Sequence, residues 1–72
     1  MYADDLIGRK VANDGVELRR ALEECFQVTG VSHVANFSFI VDRADGPQLY
    51  VATEPVDLAM RKLRITDIRE IG

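Results

Sequence analysis

Apolar residues Leu18, Ala21, Leu22, Cys25 and Phe26 recur at i, i+3, i+4, i+7 and i+8, while Glu17, Arg19, Arg20, Glu23, Glu24 and Gln27 fill the opposite face. This spacing predicts an amphipathic helix from Asp14 to about Thr29. Asp14 stands three residues ahead of Glu17, a capping-box spacing, and Gly30 suits a left-handed stop. Glu23 and Glu24 lie toward the C-terminal end, where the helix dipole favours cations, so a base from elsewhere in the chain is expected to approach them. From Val31 to Val41 the period changes to two: Val31, Ala35, Phe37, Phe39 and Val41 share one face and Ser32, Asn36 and Ser38 the other, which predicts a strand. Val34 and Ile40 interrupt the polar face, so part of that side is expected to be covered as well.

An Asp-Gly turn signal lies within Asp42 to Pro47, and the segment Gln48 to Thr53 returns as a second strand, completing a hairpin. Thr53-Glu54-Pro55 reads as a helix start, because proline suits the first turn, and Val56, Ala59, Met60 and Leu63 follow at helical spacing. The run Ile65 to Ile71 is read as a final strand with Ile65 and Ile71 on one face and Ile68 on the other, although Asp67 with Glu70 also suits the capping of another helical turn, and Leu6 to Val11 reads either as a first strand or as a frayed helical turn. The resulting order, βαββαβ, places two helices on one face of an antiparallel sheet. The expected fold is a small two-layer α+β domain of split ferredoxin-like kind, with residues 1–72 forming a single domain.

Composition narrows the function classes more than it identifies one. Seventy-two residues leave no room for separate cofactor and substrate lobes, and 47% hydrophobic with 29% charged residues is the balance of a folding globule. With no tryptophan, three phenylalanines and two tyrosines, the core is built mainly from aliphatic side chains, so self-association or a standing partner is an economical source of stability. The single Cys25 excludes an internal disulfide framework. The opening residues Met1 to Asp5 are acidic where a secretory segment is basic, and no apolar run reaches membrane-spanning length, so the sequence reads as cytoplasmic, with no membrane partner. A net charge of -3 disfavours general nucleic-acid affinity.

Four features invite chemistry. Tyr2-Ala3-Asp4-Asp5 resembles the Y-A-D-D motif of reverse-transcriptase palm domains, and the resemblance implies magnesium ligands at Asp4 and Asp5. Two-metal chemistry draws carboxylates from more than one strand, and no second acidic motif is present, so an acidic solvated terminus is the favoured reading. Phe37-Ser38-Phe39-Ile40 resembles the core of the RNP1 motif of RNA-recognition domains, which implies base stacking by Phe37 and Phe39. Asn36 stands where that motif has glycine and a hairpin follows where it has a helix, so the two rings are expected in the core. Arg61, Lys62, Arg64 and Arg69 form the one positive cluster, read as the end of the second helix or as a contact for an acidic partner. Cys25 lies on an apolar stripe and His33 has no second metal ligand at a suitable spacing.

No cofactor, metal site or catalytic constellation is expected from these residues. The function expected is that of a small non-enzymatic protein-protein interaction module: a regulatory subunit, adaptor, inhibitor or component of a larger assembly such as a viral particle. Its contact surfaces would be an open sheet edge and the residues Arg61, Lys62, Arg64 and Arg69. The alternative is a single-stranded nucleic-acid-binding module that uses Phe37, Phe39, Tyr50 and the basic cluster.

Overall fold

The computed structural model describes residues 6–59 and 61–71. The chain runs β1 (Lys10–Ala12), α1 (Val16–Glu23), β2 (Val28–Ala35), β3 (Ser38–Arg43), β4 (Leu49–Pro55) and β5 (Lys62–Glu70). The strands form one antiparallel sheet in the order β1-β5-β4-β3-β2, curled into a half-barrel, and the single helix packs against β1 and β2. The two-helix βαββαβ expectation is therefore corrected: among the described residues strand accounts for 51% and helix for 12%. Leu18, Ala21 and Leu22 of α1 are buried together with Val11, Val41, Val51, Leu63 and Ile65 from four strands, in one core.

The helix is as amphipathic as its spacing implies, but it is shorter. Asp14 Oδ1 accepts the Val16 and Glu17 N–H groups at 2.9 and 3.3 Å, which satisfies two of the donors that a helix start leaves open. Gly15 between them takes φ 80°, a left-handed conformation that a Cβ would strain. The helix gives way by Glu24, because Val28, Thr29 and Val31 gain more as β-branched strand residues than as further helical turns. Gly30 consequently lies inside β2 and is not a helix stop.

The expected strand from Val31 to Val41 is instead a hairpin that turns at Asn36 and Phe37. Alternation could not expose this fold-back. One extra residue at Val34 makes His33 face Phe39 and Val31 face Val41, so odd positions meet odd positions and the period of two survives the turn. Thr53 fixes the turn from β4, donating both its N–H, at 2.9 Å, and its hydroxyl, at 2.5 Å, to the Phe37 carbonyl. The next hairpin, β3 to β4 around residues 44–48, forms where the Asp-Gly signal indicates.

No second helix forms among the described residues. Leu63 is 1% exposed within β5, opposite Val11 on one side and Pro55 on the other, whereas Val56 and Ala59 of the supposed stripe are exposed in the 56–61 connection, as is Leu58; Met60 lies outside the described residues. A second bulge explains the irregular spacing of the last isoleucines. Ile65 pairs with Thr53 and Asp67 with Ala52, so Thr66 is an extra residue, its hydroxyl donating to the Ala52 carbonyl at 3.1 Å. The inserted residue flips the parity, and Ile65 and Ile68 both join the core although three positions separate them.

One buried cation organises the β3–β4 turn. The Arg43 side chain is 4% exposed; its Nε donates to the Pro47 carbonyl at 2.7 Å, its Nη2 to Glu70 Oε2 at 2.6 Å, and its guanidinium lies 5.1 Å from the centre of the Phe26 ring. Gly46 is required by this packing, since a Cβ there would stand 2.6 Å from Nη2.

Candidate interaction edge

The four basic residues proposed from sequence lie in β5 or immediately before it. Lys62 Nζ lies 3.9 Å from Glu17, Arg64 pairs with Glu54 across β4, and Arg69 pairs with Asp67 at 2.7 Å while its guanidinium covers the Tyr50 ring at 5.5 Å. Arg61 precedes β5 and its N–H donates to Asp57. Most of this charge is thus engaged along the sheet itself. The cation expected near Glu23 and Glu24 is supplied by Arg9, 2.9 Å from Glu24, and by Arg19, 3.4 Å from Glu23.

The aromatic residues are divided too. Phe39 points into the concave face and is 5% exposed, Phe37 is half-buried in the turn against the same core, and Tyr50 pairs with Ile40 on the other face, its hydroxyl 2.8 Å from Ser38 Oγ. They form no common stacking platform. Asp4 and Asp5 lie outside the described residues, and among the described residues no group of three or more His, Cys, Asp or Glu side chains converges as metal ligands. Cys25 is half-buried against the core.

What the fold does assemble is an edge. In an antiparallel sheet alternate residues turn their backbone groups to opposite neighbours. The Thr53 N–H reaches Phe37 and the Ala44 N–H reaches the Gln27 carbonyl, so odd residues of β3 bond toward β4 and even ones toward β2. Ser32, opposite Ile40, therefore bonds inward to β3, and Val31 and His33 turn their N–H and C=O groups to the open side of β2. The protein covers the start of this edge itself, with Arg19 Nη2 3.5 Å from the Val28 carbonyl. Beyond Val28 no strand among the described residues pairs with this edge, and Ser32 to Ala35 are all exposed.

An open groove of about 490 Å³ runs beside this edge between β2 and the start of α1. Its strand wall is Val31, His33 and Phe39; its helix wall is Asn13, Asp14, Gly15, Val16 and Arg19. The His33 imidazole stacks on Phe39 with centroids 4.9 Å apart, and its Nε2–H donates to the Asn36 carbonyl at 2.5 Å, so the ring is held as part of the wall. Val16 and Val34 are exposed at 53% and 52% at either end of this region.

The sequence carried a signal for this surface that periodicity does not use. No Asp, Glu, Lys or Arg occurs from Cys25 to Val41, in a chain of which 29% is charged. Natural edge strands are usually guarded by charge, proline or brevity. The opposite edge, β1, is three residues long and carries Lys10; β2 has eight residues and neither charge nor proline. No helix among the described residues is long and apolar enough to cross a membrane. No family model, curated protein or solved structure matches this chain.

Proposed function

We propose that this chain is a non-enzymatic protein-protein interaction module that docks by adding a strand to β2. The observation that carries the reading is the uncharged β2 edge, with Val31 and His33 turning backbone donors and acceptors to the open side, beside a groove of mixed polar and apolar lining. Main-chain bonds along such an edge supply affinity, and alternate side chains of the incoming strand read the groove. A polypeptide fits this site better than a nucleic acid. Phosphate recognition needs cations and base stacking needs exposed rings, whereas Lys62, Arg64 and Arg69 are paired within the chain and Phe39 is buried.

The test is to isolate the tagged chain from its native source and weigh the complex intact. A polypeptide partner at fixed stoichiometry is expected, and Val31→Pro, which removes an edge-directed N–H but no bond to β3, should abolish its recovery. Recovery of the same partner with Val31→Pro would refute docking through this edge.

A further inference from the structure

We propose that Asp45–Gly46, in the turn between β3 and β4, is a site of spontaneous aspartyl isomerisation, and that the chain's other Asp-Gly pair, Asp14–Gly15, is held unreactive by the helix it caps. The reaction needs only the chain and water. The Gly46 amide nitrogen attacks Cγ of the Asp45 side chain; the new N–Cγ bond closes a five-membered succinimide, and the carboxyl hydroxyl leaves as water with the amide proton. Water then adds back to one of the two ring carbonyls. Opening at Cγ restores aspartate. Opening at the main-chain carbonyl leaves isoaspartate, in which the chain runs through Cβ and Cγ and the α-carboxylate is the new side group. The water released in the first step is consumed in the second, so the mass of the chain is unchanged. Glycine suits the attacking position because it has no Cβ to hinder its nitrogen and turns freely toward the carboxyl.

The two pairs share this chemistry and differ in how the structure holds them. Asp14 Oδ1 accepts the Val16 and Glu17 N–H groups at 2.9 and 3.3 Å, and Gly15 is fixed at φ 80° ahead of α1. Turning that carboxyl onto the Gly15 nitrogen gives up both bonds and uncaps the helix. Asp45 belongs to no helix or strand: residues 44–48 connect β3 to β4, and all five are exposed. Its carboxylate is tied more loosely, by the Gln27 N–H at 3.3 Å and by Arg43 Nη1 at 3.9 Å, and among the described residues the Gly46 N–H has no backbone acceptor.

The product differs in stability from the parent. Isoaspartate adds one carbon to the main chain in a turn tied on both sides: the Ala44 N–H donates to the Gln27 carbonyl at 2.9 Å, and the Pro47 carbonyl accepts Arg43 Nε at 2.7 Å. Gly46 packs against the same guanidinium. Lengthening the chain between these ties separates Arg43 from its partners, so the isomerised protein is the less stable form.

The test incubates the full folded chain near neutral pH for several weeks and digests it with an endoprotease that cuts ahead of aspartate but not ahead of isoaspartate. Resistance to cleavage is expected to grow at residue 45 at least about fivefold faster than at residue 14, the factor that corresponds to giving up a helix cap. In concentrated urea, where neither pair is held, the two should convert at similar rates. Methyl label transferred by an isoaspartyl-specific methyltransferase should fall to a small fraction in Asp45→Glu, which keeps the charge but cannot close a five-membered ring. The converted chain should unfold at lower urea than the fresh one. Equal or faster conversion at Asp14 in the folded chain would overturn the proposal. So would full label in Asp45→Glu, or no conversion at Asp45 over a period in which the urea-unfolded chain converts; an unchanged urea midpoint would overturn the consequence drawn for Arg43.

Discussion

Arg43→Met removes a guanidinium and keeps a stem of similar length, so the difference reports what the buried charge contributes. The charge-assisted bond to the Pro47 carbonyl is worth about 1–2 kcal/mol, at the lower end for its type because Pro47 is exposed and its freed carbonyl rehydrates. The Glu70 pair adds only about 0.5 kcal/mol, since that carboxylate is 64% exposed and screened. Stacking of the cation over Phe26 adds about 0.5–1 kcal/mol, of which the methionine sulfur recovers part. The expected loss is about 2–3 kcal/mol, from a total that for a chain of this length is roughly 4–11 kcal/mol. In a domain of this size it lowers Tm by on the order of 10–20 °C. Thermal unfolding followed by far-ultraviolet circular dichroism measures it, with Arg64→Met as the comparison. Arg64 pairs with Glu54 at half-exposed positions, and its loss should cost less than about 1 kcal/mol. If the two variants unfold within about 0.5 kcal/mol of each other, burial of Arg43 does not carry the stability assigned to it here.

Three further substitutions probe the strand architecture. Gly46→Ala places a Cβ 2.6 Å from the Arg43 guanidinium, which three partners hold in place, so a loss of about 1–3 kcal/mol is expected in urea titration. Leu63→Ala should cost about 2–5 kcal/mol in the same assay while Leu58→Ala stays within about 0.5 kcal/mol, because β5 buries the first and the 56–61 connection exposes the second; equal losses would contradict this division between core and surface. Thr53→Val removes the hydroxyl bond to Phe37 and should destabilise by about 0.5–1.5 kcal/mol, with an unchanged circular dichroism spectrum.

The sequence made local amphipathicity legible and hid the long-range pairing. The buried face of α1 and the turn between β3 and β4 follow from spacing and from Asp-Gly chemistry. The second helix was a coincidence of spacing: Val56, Ala59 and Leu63 match a period of 3.6, yet Leu63 and Ile65 also match a period of two, and pairing with Val11 and Thr53 decides for the strand. Bulges at Val34 and Thr66 each shift parity by one residue, so one hairpin read as a single strand and one strand read as two conflicting faces. Pro55 sits harmlessly at the end of β4, beyond the β2–β3 turn, where no neighbour needs its missing N–H. The open sheet edge is hard to place from sequence for a different reason: a charge cluster such as Arg61 to Arg69 stands out, whereas the signal at β2 is the absence of charge from Cys25 to Val41.

The most direct test of the β2 edge is amide hydrogen exchange measured residue by residue by nuclear magnetic resonance. The Val31 and His33 amides should exchange rapidly, while those of Ser32 and Ile40, opposite each other across the β2–β3 pair, stay protected. Protection of Val31 and His33 in the isolated chain, or rapid exchange at Ser32, would contradict the edge.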